Sequence, residues 1–366
     1  MGFACGFVGL PNVGKSTLFN ALCRGGAAAA NFPFCTIDPN TGIVEVPDKR
    51  LDTLAEMEKS AKVVPATLKF IDIAGLVKGA SQGEGLGNQF LGHIRNVDAV
   101  AHVVRCFENS DIVHVSGKVD PAEDLELILT ELMLADIDHL NNRLEKAGKQ
   151  LRTADGDLKF EFELASEMVK TLEEGKIPRP DTSDPKVKKA LANLQLLTLM
   201  PAFVCANCDE ESFKSFGKDE RSKKLLECAE KHGFEVVPVC AKFEEELGDL
   251  SPEDAKTFLE DLGVEESGLE RVIRTGYRLL DYITFFTAGP TESRAWTIVR
   301  GMTAPEGAGK IHTDMQRGFI RMEVISYDDL VEHGSWNAAK NAGKLRIEGK
   351  EYVMQDGDSV FVRFSV

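Results

Sequence analysis

An α/β fold with a largely parallel sheet, interrupted by an α-helical hairpin and followed by a small β-rich segment, is predicted for this 366-residue chain. Three observations predict it. Apolar runs of strand length at 3–8, 67–73 and 99–104 alternate with glycine-punctuated loops and helical stretches up to about Asp120. Leu125, Ile128, Leu129, Leu132, Ile137, Leu140 and Leu144 then recur at three- and four-residue steps among charged neighbours, one apolar stripe on a long helix. From Thr284 the pattern changes to short strand candidates parted by Gly and Pro turns.

The first strand candidate runs into Gly9-Leu10-Pro11-Asn12-Val13-Gly14-Lys15-Ser16, a glycine-rich turn that opens a helix. Phosphate recognition needs this order of parts, because backbone N–H groups converge in the turn and the helix N-terminus faces the anion. Gly9 and Gly14 permit close backbone approach, and Asn12 and Val13 line the turn. Lys15 reaches the β- and γ-phosphates, Ser16 places its hydroxyl on Mg²⁺, and Thr17 adds a hydroxyl near the α-phosphate. This is the phosphate loop of a P-loop nucleoside triphosphatase. The strand 67–73 ends on Asp72-Ile73-Ala74-Gly75, where the Asp72 carboxylate holds Mg²⁺ through water and the Gly75 amide senses the γ-phosphate. Thr36, in the intervening loop, is placed to close onto both.

A break at 153–157 is followed by a second stripe through Phe160, Leu164, Met168 and Leu172, so the two helices pack antiparallel as a hairpin. A larger helical cap on the first domain is the alternative. Residues 177–185 carry three prolines and read as a loop. The apolar runs 196–207 and 234–240 then read as buried strands, which makes the hairpin an insertion into a resumed α/β layer. Further strands are expected at 296–299, 319–324, 352–354 and 360–364.

Composition narrows the function classes. Hydrophobic residues make up 43% and charged residues 28%, the balance of a globular protein. The apolar stretch 196–206 is broken by Thr198 and Pro201, short of the roughly 20 residues that span a bilayer. No charged-then-apolar leader precedes the phosphate loop, so a cytoplasmic location without membrane contact is expected. The net charge of −16 argues against indiscriminate nucleic-acid binding. Any RNA contact needs a local face, for which Arg294, Arg300, Lys310, Arg317 and Arg321 near Trp296 and Phe319 are candidates. The eight cysteines are scattered and read as reduced, small apolar residues. Cys205 and Cys208 form a C-x-x-C pair, but no second pair completes a zinc site there.

The run Asp72-Ile73-Ala74-Gly75-Leu76-Val77-Lys78-Gly79-Ala80-Ser81 with Gly83-Glu84-Gly85-Leu86-Gly87 resembles the Obg group of translation-factor GTPases. With Asn31-Phe32-Pro33-Phe34-Cys35-Thr36-Ile37 and Phe107-Glu108-Asn109-Ser110-Asp111-Ile112-Val113-His114-Val115, the whole chain resembles the YchF or Obg-like ATPase family. The resemblance implies a P-loop G domain at 1–124 and 197–280, a coiled-coil-like hairpin at 125–196, and a β-grasp-like TGS domain at 281–366. It also implies ribosome binding, through the large subunit or the whole particle, with RNA contact by the TGS domain or the hairpin.

Ordinary G proteins select guanine with N-K-x-D, whose aspartate accepts from N1–H and the 2-amino group. This chain has Asn207-Cys208-Asp209-Glu210 instead. Asn207 still suits a purine N7 edge, Cys208 replaces the lysine stem as a small packing surface, and the longer Glu210 replaces the aspartate. Adenine offers neither guanine donor, so ATP is expected over GTP. The family's altered N-x-x-E motif implies the same, and Cys240-Ala241-Lys242 matches its last base-contacting loop.

Leu76 stands where many G proteins carry the glutamine that orients the attacking water. The chain thereby resembles P-loop hydrolases with a hydrophobic substitution, and slow turnover is expected. Asn12 matches the asparagine by which K⁺-activated members hold a monovalent cation, and His114 is a candidate for orienting water. A slow ATPase with nucleotide-dependent switch loops is the leading reading. The alternative is a ribosome- or RNA-binding protein that uses ATP as a structural ligand, and a metabolic kinase is disfavoured because no acceptor domain or lid is evident.

Overall fold

The computed structural model describes residues 4–25, 40–73, 91–109, 111–112, 114, 117–147 and 156–365. Thr36, Gly75 and Leu76 lie outside the described residues, as do the runs 31–37 and 74–87 that carry much of the resemblance.

The chain begins with β1 (Ala4–Val8), α1 (Lys15–Gly25), β2 (Thr41–Glu45), α2 (Lys49–Glu58), β3 (Val63–Val64), β4 (Thr67–Asp72) and β5 (Ala99–Arg105). The helices α3 (Pro121–Ala147), α4 (Gly156–Glu173) and α5 (Pro185–Leu194) follow, then β6 (Ala202–Cys208), α6 (Glu210–Lys214), α7 (Glu220–His232), β7 (Val236–Cys240), α8 (Ala241–Asp249), α9 (Pro252–Leu262) and α10 (Gly268–Leu279). Packing divides the chain into two compact units, Phe3–Gly42 with Lys69–Val272, and Ile43–Leu68 with Ile273–Val366. The second unit therefore draws in a segment from the amino-terminal third that the linear layout places in the G domain.

One six-stranded sheet has the order β2-β4-β1-β5-β6-β7. Its β1–β4, β1–β5, β5–β6 and β6–β7 pairs are parallel, as the alternation of strands and helices predicts. Every residue of β1 and β5 is buried, which is why these strands read as unbroken apolar runs rather than alternating ones. Parallel strands end on one edge. That edge therefore collects the turn after β1, Asp72 of β4, Asn207 of β6 and Cys240 of β7.

The predicted hairpin is present as α3 and α4, which share an apolar cluster of Met133, Leu140, Ala165, Met168, Val169 and Leu172 with Leu194 and Leu196. The run 196–207 is not one strand. Leu197–Leu199 form a 3₁₀ turn and β6 begins only at Ala202. Buried Asp136 of α3 takes the backbone N–H groups of Leu197 and Thr198, both at 2.9 Å, which commits those donors to a carboxylate instead of a ladder.

The remaining elements are β8 (Tyr282–Thr287), β9 (Ser293–Val299), α11 (Ala304–Ile311), α12 (Thr313–Arg317), β10 (Phe319–Ser326), α13 (Tyr327–His333), α14 (Trp336–Asn341), β11 (Arg346–Glu348) and β12 (Asp358–Phe364). The second sheet has the order β11-β10-β12-β8-β9-β3 around a core of Ile283, Phe285, Ile298, Met322, Val324, Met354 and Val360. Val63 and Val64 of β3 pair in parallel with Ser293 and Arg294. The expected strand at 352–354 is reduced to a single bridge between Val353 and Thr303. Its backbone instead holds the entry to α11, since the Ala304 N–H donates to the Tyr352 carbonyl and the Met354 N–H to that of Met302.

Candidate nucleotide site

β1 delivers the chain into the phosphate loop with no room to spare. A β-carbon on Gly9 would meet the Val103 carbonyl oxygen of β5 at 2.4 Å, so the loop lies against the neighbouring strand. Asn12 and Gly14 both take positive φ, 60° and 95°, and Leu18 donates to the Gly14 carbonyl at 3.0 Å as the ladder of α1 begins. Leu10 and Val13 are buried beneath the turn. The Lys15 ammonium donates to the Leu10 carbonyl at 2.7 Å and the Gly9 carbonyl at 3.1 Å. Burial lowers the Lys15 pKa to about 8, with Asp72 opposing the shift.

Ser16 donates its hydroxyl to Asp72 Oδ2 at 2.7 Å. The two come from sequence-distant elements, the first turn of α1 and the end of β4, and bring a hydroxyl and a carboxylate together beside Lys15. Hard oxygen donors in this setting suit Mg²⁺. Thr17 is exposed on the same first turn.

At the other end of the loop, Asn207 is buried and donates its Nδ2–H to the Val13 carbonyl at 2.9 Å. That contact fixes which way the amide points, and leaves Oδ1 buried without a hydrogen-bond partner among the described residues. Cys208 is buried, with its thiol 3.5 Å from the Ala206 carbonyl. β6 and β7 run in register, Asn207 beside Val239 and Cys208 beside Cys240, so the two segments expected to face the base are adjacent. Cys240 precedes α8, whose first residue is Ala241.

Both acids of the Asn207–Glu210 segment are engaged through one carboxylate oxygen each. Asp209 caps α6, accepting from the Ser212 N–H at 2.8 Å in a reciprocal capping box. Glu210 pairs with Lys242 at 2.5 Å, a contact that lowers the Glu210 pKa.

His114 is buried, its Nε2 2.9 Å from Asp124 Oδ2 in the first turn of α3. Burial raises the Asp124 pKa and the His114 partner opposes the rise. Sequence reasoning missed Arg105, which organises the loop leading to His114. Its buried guanidinium donates to the carbonyls of Phe107 at 2.9 Å and of Asn109 and Ile112 at 3.1 Å each. An arginine closing a strand as apolar as β5 was the available signal, because a buried cation needs acceptors at hand. Of the RNA-contact candidates, Phe319 is a core residue and Trp296 packs against that core under the Arg294 guanidinium, 4.9 Å away.

Comparison with known proteins accords with this geometry. A family model described as a 50S ribosome-binding GTPase matches residues 4–141. The model of the YchF GTPase carboxyl-terminal segment, described as a protein of unknown function, matches 282–365. Proteins named ribosome-binding ATPase YchF from Haemophilus ducreyi and Escherichia coli O157:H7 are 53% and 51% identical over 366 residues, covering 100% of both chains in each case. A solved structure titled as the Schizosaccharomyces pombe YchF GTPase superposes with a TM-score of 0.88 at 39% identity, over 99% of this chain and 97% of that one. With a phosphate loop at the end of β1, Asn207-Cys208-Asp209-Glu210 at the end of β6 and full-length identity above half, the chain belongs to the YchF family.

Proposed function

We propose that this protein is a slow ATPase that binds the ribosome, with ATP favoured over GTP. The observation that carries the base preference is the commitment of both acids, Asp209 to its helix cap and Glu210 to Lys242. A guanine would present two N–H donors and so compete with Ser212 and Lys242 for these carboxylates, whereas adenine presents none at those positions. Asn207 adds a second support. Its unpartnered Oδ1 is an acceptor suited to the 6-amino group of adenine, in the pairing by which asparagine reads adenine elsewhere, and guanine carries an acceptor at that position.

In this reading Lys15 binds the β- and γ-phosphates while the loop N–H groups enclose them. Mg²⁺ held by Ser16 and Asp72, with Thr36, would neutralise phosphate charge, and the Gly75 amide reports the γ-phosphate. Val13, Gly14 and Thr17 line the phosphates, and Cys208, Cys240 and Ala241 the base. Leu76 cannot hydrogen-bond water, so His114 takes the orienting role, its ring held by Asp124. Asn12 holds K⁺ at the phosphate loop. The layout of G domain at 1–124 and 197–280, hairpin at 125–196 and TGS domain at 281–366 is part of the same proposal, as is cytoplasmic action. Named relatives that are ribosome-binding ATPases support the assignment.

Titration of the protein with ATP and with GTP in Mg²⁺, alongside phosphate release in K⁺ and Na⁺ buffers without any acceptor, tests this reading. Tighter ATP binding, slow release and K⁺ stimulation are expected. Equal or tighter GTP binding overturns the base assignment. Identical ribosome co-sedimentation with ATP, ADP and no nucleotide overturns the switch, leaving ATP as a structural ligand.

A further inference from the structure

Away from the phosphate loop, three side chains from two helices direct their donor atoms at one another. Glu126 lies near the start of α3, while Cys228 and His232 lie four residues apart near the end of α7, hence on one face of that helix. Glu126 Oε1 is 3.1 Å from His232 Nε2 and 3.6 Å from Cys228 Sγ. All three donor atoms fall within 4.8 Å of one another, and among the described residues no other group of His, Cys, Asp and Glu does this.

These separations have a metal-binding meaning. A tetrahedral zinc ion with bonds of about 2.0–2.3 Å to nitrogen, oxygen and sulfur sets its ligands roughly 3.3 Å apart for N···O and roughly 3.6 Å for S···O. Both measured edges lie close to those values. Imidazole, thiolate and carboxylate are also the donor types that zinc takes.

The surroundings favour a cation. The cluster sits at the carboxyl end of α7, where the aligned peptide dipoles of the helix give negative potential. Lys231 Nζ already lies 2.9 Å from the same Glu126 oxygen, so one positive charge is drawn there now. Its side chain is 67% exposed and is free to swing into water when a metal takes the place. The His232 ring is buried and stacked on Phe234 at 6.2 Å, which holds its orientation. Sequence reasoning weighed only the C-x-x-C pair and passed over the Cys-x-x-x-His spacing, because the third ligand comes from a helix about a hundred residues away.

We propose that Glu126, Cys228 and His232 form a zinc site with water as fourth ligand, fastening the root of α3 to α7. On binding, the Cys228 thiol gives up its proton and the sulfur becomes the ligand, so one proton is released per metal ion. Burial and the Glu126 charge push Cys228 up to about 11 in the metal-free chain, so that proton is present at neutral pH.

The test uses the full chain, freed of metal with a chelator and titrated with Co²⁺ in excess Mg²⁺. One equivalent is expected to give a thiolate-to-cobalt charge-transfer band, abolished by equimolar Zn²⁺. Cys228→Ser and His232→Asn should each remove the band, and Cys23→Ser should retain it. Lys231→Ala should tighten binding severalfold by removing the competing ammonium, an effect that damaged folding does not mimic. Absence of a thiolate band in the wild-type chain, its survival in Cys228→Ser, or unchanged or weaker binding in Lys231→Ala overturns the proposal.

Discussion

The side-chain nitrogen of Asn207 occupies the space that a β-carbon on Gly14 would need, 2.1 Å from its ideal position. In the proposed site the residue assigned to the base thus rests on the phosphate loop, and one contact joins the two ends of that site. Gly14 is required twice over, by this approach and by its φ of 95°. Gly14→Ala is expected to weaken ATP binding by about 10²-fold, the usual cost of misplacing a binding group by an ångström or so. Fluorescent-nucleotide titration measures it, and near-native affinity would show that Asn207 does not position the loop.

Lys15 sets a pH dependence. Its pKa in the fold is about 8, below the 10.5 of an ordinary lysine. Below pH 8 the ammonium is charged in both folded and unfolded chains. Between about 8 and 10.5 the unfolded chain holds a proton that the folded chain has lost, so this group makes stability rise with pH across that window. Comparison of thermal unfolding with Lys15→Met should show the slope vanish. Nucleotide binding runs the other way, because the phosphates need the charged form. Above pH 8, ATP binding should weaken and take up a proton, readable by calorimetry in two buffers of different ionisation enthalpy.

Base choice should be transferable. Cys208→Lys combined with Glu210→Asp restores the guanine-selecting pattern and draws the carboxylate now paired with Lys242 back by one methylene. The ratio of GTP to ATP affinity is expected to rise by about tenfold or more. An unchanged ratio would place selection elsewhere in the pocket.

The His114–Asp124 pair separates catalysis from stability. His114→Ala should slow single-turnover hydrolysis by about 10²-fold with ATP affinity retained. The same change leaves a buried carboxylate alone, at a cost of about 3 kcal/mol in denaturant unfolding. A loss of stability with hydrolysis intact would make His114 purely structural.

RNA contact by the second unit calls for exposed aromatics, and Trp296 and Phe319 are not those. Phe361 and Phe364 are half-exposed on β12, with the Arg363 guanidinium 4.2 Å over the Phe361 ring. Replacing both phenylalanines with alanine should weaken ribosome co-sedimentation by about tenfold and leave ATP binding unchanged. Full retention of ribosome binding would clear this face of the role.

The phosphate loop was legible in the sequence because its chemistry is local, eight consecutive residues after a strand. Asn207 was legible for a related reason, since a polar residue ending an apolar run marks the functional edge of a parallel sheet. The Glu210–Lys242 contact is different, joining residues 32 positions apart that only the pairing of β6 with β7 brings together. The break before β6 escaped notice because the acceptor that captures Leu197 and Thr198 is Asp136, on a helix some sixty residues earlier. In the last third, attention to strand-length runs hid the short helices α11 to α14, whose caps, such as Ser326 on Asp329 and Ser335 on Ala338, were there to be read.

The pairing of β3 with β9 bears on how this protein can be dissected. Val63 and Val64 cover the last strand of the second sheet, and Arg50 reaches Asp356 at 2.7 Å within the same unit. A fragment cut to begin near residue 273 would carry β9 as an open edge, its backbone donors and acceptors available for strand addition between copies. Such a truncation is expected to self-associate on gel filtration. A severable piece has to be stitched from both stretches, with 43–68 joined to 273–366 by a designed linker.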